Sequence, residues 1–249
     1  MDFLRVLLLA DTHLGFERRG PDFFANFLTA LQPALRGEVD VVVHGGDVFF
    51  RSRIPPSLVV QAFQPLAQVA ARGVPVLVVP GNHERSHIPH PLLAVHRGVH
   101  IFDRPRTFVL PFACGPVAFS GFPYAHDVRA RFPELLRETG PPARDAAVRL
   151  LCMHHAVEGA RVGTPEFVFD RGPDVVRGRD LPAGSASCAG SMARCCRRRS
   201  SIRGRWNALR SPSASRPKAS WCCGSGRVPP AAWSRARSGT RCRRSRCQP

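Results

Sequence analysis

Apolar residues along this chain come in short unbroken runs, separated by longer stretches with helical spacing. Residues 5–10 (RVLLLA) lack polar alternation after the first position, the pattern of a strand buried on both faces. A loop containing Gly and Pro follows, and residues 22–36 then set Phe23, Phe24, Phe27, Leu28 and Leu31 on one side of a predicted helix. Residues 40–44 (DVVVH) form a second buried strand. Residues 56–72 form a helix with Leu58, Val59, Ala62, Phe63, Leu66 and Val69 inward, and Pro55 and Pro56 suit its start. Residues 74–79 (VPVLVV) form a third strand. Short strands are expected near 99–102, 106–110 and 116–120, and a helix near 127–138. Val148–Met153 (VRLLCM) is a further buried strand, and it runs into His154.

The order strand–helix–strand–helix–strand predicts a layered α/β domain with buried strands. In such sheets ligands bind outside the carboxyl ends of the strands. The conspicuous polar residues fall there: Asp11 after the first strand, Asp47 after the second, Asn82 and His83 after the third, and His154 after the last.

Composition divides the chain in two. Residues 184–249 hold 16 of the 36 Lys and Arg and no Asp or Glu, leaving 20 basic against 18 acidic residues in 1–183. The high overall charge therefore belongs to an Arg-, Ser- and Cys-rich tail and says little about the rest. Clustered Arg of this kind can neutralise nucleic-acid phosphates, or it can belong to a tail without a core. The tail holds seven of the nine Cys, with two adjacent pairs and no C-x-x-C, a poor zinc pattern. Cys114 and Cys152 alone in the body suit a reducing cytosol. The apolar run before Asp11 is too short for a signal peptide, and no stretch approaches the roughly 20 apolar residues of a membrane span. A soluble, cytoplasmic protein is expected.

Four strand ends carry metal-type side chains: Asp11-Thr12-His13, Gly46-Asp47, Gly81-Asn82-His83-Glu84 and His154. Two adjacent divalent ions need a shared carboxylate, mixed nitrogen and oxygen ligands, and open positions for water and phosphate. Asp47 is the natural bridge. Asp11 and His13 would complete one site, and Asn82 (through its amide oxygen) and His154 the other. Each residue alone has an ordinary explanation: Asp11 could cap a helix, Gly46-Asp47 could be a turn, and His154 could be a satisfied buried histidine. The conjunction, in this order and each behind a buried strand, argues for a metal site.

These motifs resemble the signature of the calcineurin-like metallophosphoesterases, D-x-H … G-D … G-N-H-[DE] … H … G-H-x-H. The segments LLLADTHLG, VVVHGGDVFFRSRIPP, VVPGNHERS and LLCMHHAVEGA are most similar to the SbcD-type bacterial DNA repair nuclease subfamily, over about residues 3–183. The resemblance implies a layered β-sandwich flanked by helices, residues 1–183 as one hydrolase domain, and two divalent ions, manganese by preference. It also implies in-line attack on phosphorus by an activated water, with His83 placed to give a proton to the leaving oxygen. DNA would be the substrate, an SbcC-type ATPase the partner, and a homodimer is admitted. His154 rather than His155 is the expected ligand, because it follows the strand directly; His44, His87 and His90 are expected to be loop or supporting residues.

The last motif, G-H-x-H, should follow soon after Leu181 and Pro182, yet no histidine follows His155. In the family those two histidines give one ligand to each ion. The loss coincides with the change in composition and points to a frameshift. Read one frame over, the codons of residues 201–214 permit YPGSVERTSFAE, with Glu forced by Trp206-Asn207, and this resembles a downstream SbcD-type segment. Residues 184–249 are then expected to be a disordered, out-of-frame tail, and catalysis to be weak or absent. Alternative readings are a calcineurin-like phosphatase or cyclic-nucleotide phosphodiesterase, and a non-catalytic nucleic-acid-binding protein acting through the basic tail.

Overall fold

The computed structural model describes residues 4–17, 20–84, 96–141, 145–146, 148–160 and 171–181, together with the backbone of two strands at 186–189 and 224–228. The elements run β1 (Leu4–Leu9), α1 (Gly20–Leu35), β2 (Val41–His44), α2 (Pro56–Ala71), β3 (Val76–Val78), β4 (Val99–Ile101), β5 (Arg106–Phe112), β6 (Gly115–Gly121), α3 (Val128–Glu138), β7 (Val148–Met153), β8 (Ala156–Val157), β9 (Val175–Val176), β10 (Ala186–Ala189) and β11 (Gly224–Val228). A 3₁₀ turn at Gly178–Asp180 follows β9.

Two sheets pack face to face. One has the order β11-β1-β2-β3-β4, with β1 to β4 parallel; the other has the order β10-β7-β6-β5. Period-2 alternation sorts each strand between two cores. Leu4, Val6, Val41, Val43, Leu77 and Val79 face the second sheet, where they meet Val117, Phe119, Leu150 and Cys152. Their neighbours Leu7, Leu9, Val42, Val76 and Val78 point the other way, under Phe27, Leu31, Val59, Phe63 and Leu66 of α1 and α2. Leu151 and Met153 turn to the outer face of the second sheet and pack with Phe132 and Leu135 of α3. The expected layered β-sandwich flanked by helices is the architecture found.

Both faces of β1, β2 and β3 are covered, which is why they read as apolar runs rather than as alternating strands. Each described helix passes through an internal proline, Pro33, Pro65 and Pro133. Proline removes a helical hydrogen bond, but the apolar face around it is buried, and packing outweighs the local cost. The parallel pair β8-β9 is not anticipated by the sequence, since two residues per strand carry no periodicity. Two pieces of the tail also pair: β10 lies parallel to β7 and β11 antiparallel to β1. No helix among the described residues is long and apolar enough to cross a membrane.

Phe119 is fully buried between the sheets, whereas Val60 is 56 % exposed on α2. Phe119→Ala should lower the stability read by urea denaturation by about 3–5 kcal/mol. Val60→Ala should change it by no more than about 0.5 kcal/mol.

Candidate metal centre

The site begins with backbone strain. Asp11 (φ 53°), His13 (φ 43°) and Asp47 (φ 53°) all lie in the left-handed region, which costs a non-glycine residue about 1–3 kcal/mol. A ladder of backbone hydrogen bonds between the turns after β1 and β2 enforces it. Gly45 N–H donates to Leu9 O (2.7 Å), Asp11 N–H to Gly46 O (3.0 Å), His13 N–H to Asp47 O (3.0 Å) and Leu14 N–H to Val48 O (2.8 Å). The two turns thus continue the parallel pairing of β1 and β2 past the sheet edge and direct Asp11, His13 and Asp47 to one point.

Asp47 is at the centre and only 3 % exposed. Its Oδ1 accepts the His83 backbone N–H at 3.0 Å. Its Oδ2 lies 3.5 Å from His154 Nε2 and 3.7 Å from His83 Nε2. His154 Nε2 is also 3.1 Å from Asn82 Oδ1. Candidate ligand atoms of His13, Asp47 and His83 lie within 4.8 Å of one another, as do those of Asp11, Asp47 and His154. Asp47 belongs to both groups. Asp11, His13, Asp47, Asn82, His83 and His154 are therefore brought together from four strand ends. Two glycines make room: a Cβ on Gly46 would overlap the His154 imidazole, and one on Gly81 would overlap the Asp47 carboxylate.

Protonation follows from these contacts. His154 Nδ1–H donates to Gly45 O (2.8 Å), so its Nε2 faces the cluster. Burial would disfavour a charged imidazole, but the hydrogen bond and negative charge of Asp47 outweigh it and push His154 up to about 9. Burial alone would raise Asp47, yet His154 and the His83 N–H hold it below the ordinary carboxylate range. Asp11 is pushed up to about 6, chiefly by burial. Burial lowers His13, so its 3.9 Å approach to Asp11 is that of a neutral imidazole. The buried His13 Nδ1 has no hydrogen-bond partner among the described residues. Carboxylate and amide oxygens, converging with imidazole nitrogens around one shared carboxylate, fit a pair of divalent cations.

A family model for the calcineurin-like phosphoesterases matches residues 4–181. The chain belongs to that family. It is similar to the DNA double-strand break repair protein Mre11 of Haloferax volcanii, 32 % identical over 156 residues that make up 58 % of this chain and 33 % of that protein. The similarity to the Sulfurisphaera tokodaii protein of the same name is 24 % over 169 residues, 64 % of this chain and 42 % of the relative. The chain thus spans about a third to two fifths of the length of these relatives. Among solved structures, TT1561 of Thermus thermophilus aligns over 67 % of this chain and 73 % of that one, at 12 % identity and a TM-score of 0.47.

Within this calcineurin-like phosphoesterase, several supporting residues escape a motif reading. His44, expected as a loop or supporting residue at the end of the second strand, is the last residue of β2, wholly buried, and burial pushes it down to about 3. Glu84 is buried and accepts the Phe49 N–H (2.7 Å) and the Gly81 N–H (2.5 Å), which ties the turn after β3 to the turn after β2. Its signal was present as the fourth residue of Gly81-Asn82-His83-Glu84. His155 turns away from Asp47: its Nε2 lies 2.9 Å from Ala125 O, and its ring stacks on Tyr124 at 4.9 Å. His87 and His90 lie outside the described residues. β10 runs parallel to β7 with Ala189 opposite Met153, so its carboxyl end opens on the same rim as His154.

Gly46→Ala and Gly81→Ala should each weaken Mn2+ binding measured by titration calorimetry by more than about tenfold, since each added methyl displaces a candidate ligand. A cation must also displace the proton of His154. Mn2+ affinity should then fall about tenfold per pH unit from about 9 downward, and more steeply below about 6, where Asp11 also protonates. Calorimetry in buffers of different ionisation enthalpy should register about one proton released at pH 7.5.

Proposed function

We propose that this chain is a metal-dependent phosphodiester hydrolase of the DNA repair nuclease type. The observation that carries the reading is one buried carboxylate, Asp47, common to two groups of ligand atoms. Asp47 would be shared by two divalent cations, manganese by preference, with Asp11, His13, Asn82 and His154 as the other donors, supplying an acidified water and neutralising charge on the phosphoryl oxygens.

The chain's own residues do the rest. His83 Nδ1–H donates to Phe50 O at 2.6 Å, which fixes the ring and leaves Nε2 facing the site. A proton carried on Nε2 is the one His83 gives to the leaving oxygen. Gly45 O and Asn82 fix the His154 ring in the same way. An open cleft of about 560 Å³ leads to the site, lined by Phe50, Arg51, Ser52, Arg53, Asn82 and His83. Arg51, paired with Glu17 at 2.9 Å, and Arg53 line the same cleft as Asn82 and His83 and favour an anionic phosphate substrate. The similarity to Mre11 proteins supports DNA as substrate in the same sense. We place the enzyme with DNA in the cytoplasm, served by an SbcC-type ATPase.

The same reading makes residues 1–183 the hydrolase domain and 184–249 an out-of-frame tail that has lost G-H-x-H. The end of the family match at residue 181 supports that boundary. Each missing histidine is a direct ligand, and even outer residues of metal sites are worth about 10–100-fold.

Cleavage of linear duplex DNA with Mn2+ is the test, beside a small diester such as bis(p-nitrophenyl) phosphate. The 249-residue chain should cleave duplex DNA weakly, Asp47→Asn should abolish this, and restoring the frame so that G-H-x-H is translated should raise turnover more than about 100-fold. Preference for the small diester would favour a phosphatase or cyclic-nucleotide phosphodiesterase. Salt-sensitive DNA binding without cleavage, lost on removing residues 184–249, would favour a nucleic-acid-binding protein and overturn the hydrolase reading.

A further inference from the structure

We propose that His44 is a positioning residue that locks the two strained turns carrying Asp11, His13 and Asp47 into their cation-ready geometry. The proposal rests on reading those three residues as cation donors. His44 stands at the end of β2, and its side chain is wholly buried beneath the turns. Its ring touches both. Gly46 N–H donates to Nδ1 at 3.3 Å, and Nε2 lies 3.0 Å from Thr12 Oγ1. Thr12, also fully buried, donates its own hydroxyl proton to Val48 O at 3.0 Å.

These contacts admit one arrangement of protons. Nδ1 accepts from an amide, so it carries the lone pair and Nε2 carries the hydrogen. The Thr12 hydroxyl has given its proton to the hydrogen bond with Val48 O, so it must accept from Nε2–H. The chain of donors runs Gly46 N–H to His44 Nδ1, His44 Nε2–H to Thr12 Oγ1, and Thr12 Oγ1–H to Val48 O. Thr12 lies between Asp11 and His13, while Gly46 and Val48 flank Asp47. Every anchor of the chain is thus adjacent to a residue with positive φ. A strained residue persists only where its surroundings over-determine it, and this buried relay supplies side-chain restraints beyond the backbone ladder. Loss of one member leaves a buried donor or acceptor unpaired, and the turns can then relax.

The test uses the full chain and four variants: Thr12→Val, Thr12→Ser, His44→Leu and His44→Gln. Thr12→Val deletes the hydroxyl at nearly constant shape. Gln presents an N–H donor where the imidazole Nε2 stands. Three readouts are compared: Mn2+ affinity by calorimetry, amide hydrogen exchange of Asp11, His13 and Gly45 without metal, and Tm. Thr12→Val and His44→Leu should weaken Mn2+ binding about 10–100-fold and speed exchange at those amides. Thr12→Ser and His44→Gln should recover most of both. The double variant Thr12→Val/His44→Leu should be no worse than the poorer single one. Unchanged affinity and exchange in a Thr12→Val protein of native Tm would overturn the proposal, as would a Thr12→Ser variant as impaired as Thr12→Val. Should His44→Leu fail to fold, the Thr12 pair decides alone. Should the unsubstituted chain bind no Mn2+, the cation reading fails, and the exchange rates still decide whether His44 restrains the turns.

Discussion

A carboxylate removed from water must be compensated by charge or hydrogen bonds, and most of the site's geometry answers that requirement at Asp47. Its oxygens are met by the His83 amide and the imidazoles of His154 and His83, and two glycines flank the contact because no Cβ fits there. Asp47 is thereby held below the ordinary carboxylate range, while Asp11, chiefly through burial and in part through the Asp47 charge, is pushed up to about 6. Cations at the centre would offset the charges of Asp11 and Asp47 together and would compete with the proton on His154. The backbone strain at Asp11, His13 and Asp47 is the structural counterpart: the turns hold these donors converged on one point.

The sandwich is what allows this arrangement to persist. β1, β2 and β3 are parallel and buried on both faces, so their carboxyl ends lie side by side, and the turns leaving them are anchored by strands that cannot shift register without turning core residues outward. β7 comes from the other sheet and delivers His154 across the top of the interface, with Cys152 and Leu150 packed below it. The centre therefore depends on contacts between the sheets as much as on the loops, and a loss of core packing near Phe119 would be felt at the metal-type residues.

The strands that carry the site are legible because burial on both faces leaves an unbroken apolar run, and the polar residue ending each run stands out against it. That is why Asp11, Asp47, Asn82 and His154 can be assigned to strand ends from the sequence alone. His44 is legible only in part: it ends the run DVVVH and so stands at a strand end, but the run does not show that its buried ring bridges two turns. Thr12 likewise passes as the variable residue of D-x-H until its hydroxyl is seen between His44 and Val48. Sequence spacing records which residues reach the centre. It does not record a hydrogen bond between residues 32 apart. The pair β8-β9 is invisible because two residues have no period.

The proposed loss of G-H-x-H has a physical consequence at this centre. β10 lies parallel to β7, in register to Ala189 opposite Met153, so its last described residue ends beside the strand that runs into His154. On the proposed reading, the two histidines of G-H-x-H would add donors to the cluster around Asp11 and Asp47. Without them, cations at the proposed centre would depend on Asp47 and on turns whose strain the protein alone must hold. Supporting contacts such as the His44 relay then bear more of the geometry here than they would in a chain with all its ligands. Removing them should cost more affinity in this chain than in the same chain with its G-H-x-H motif restored.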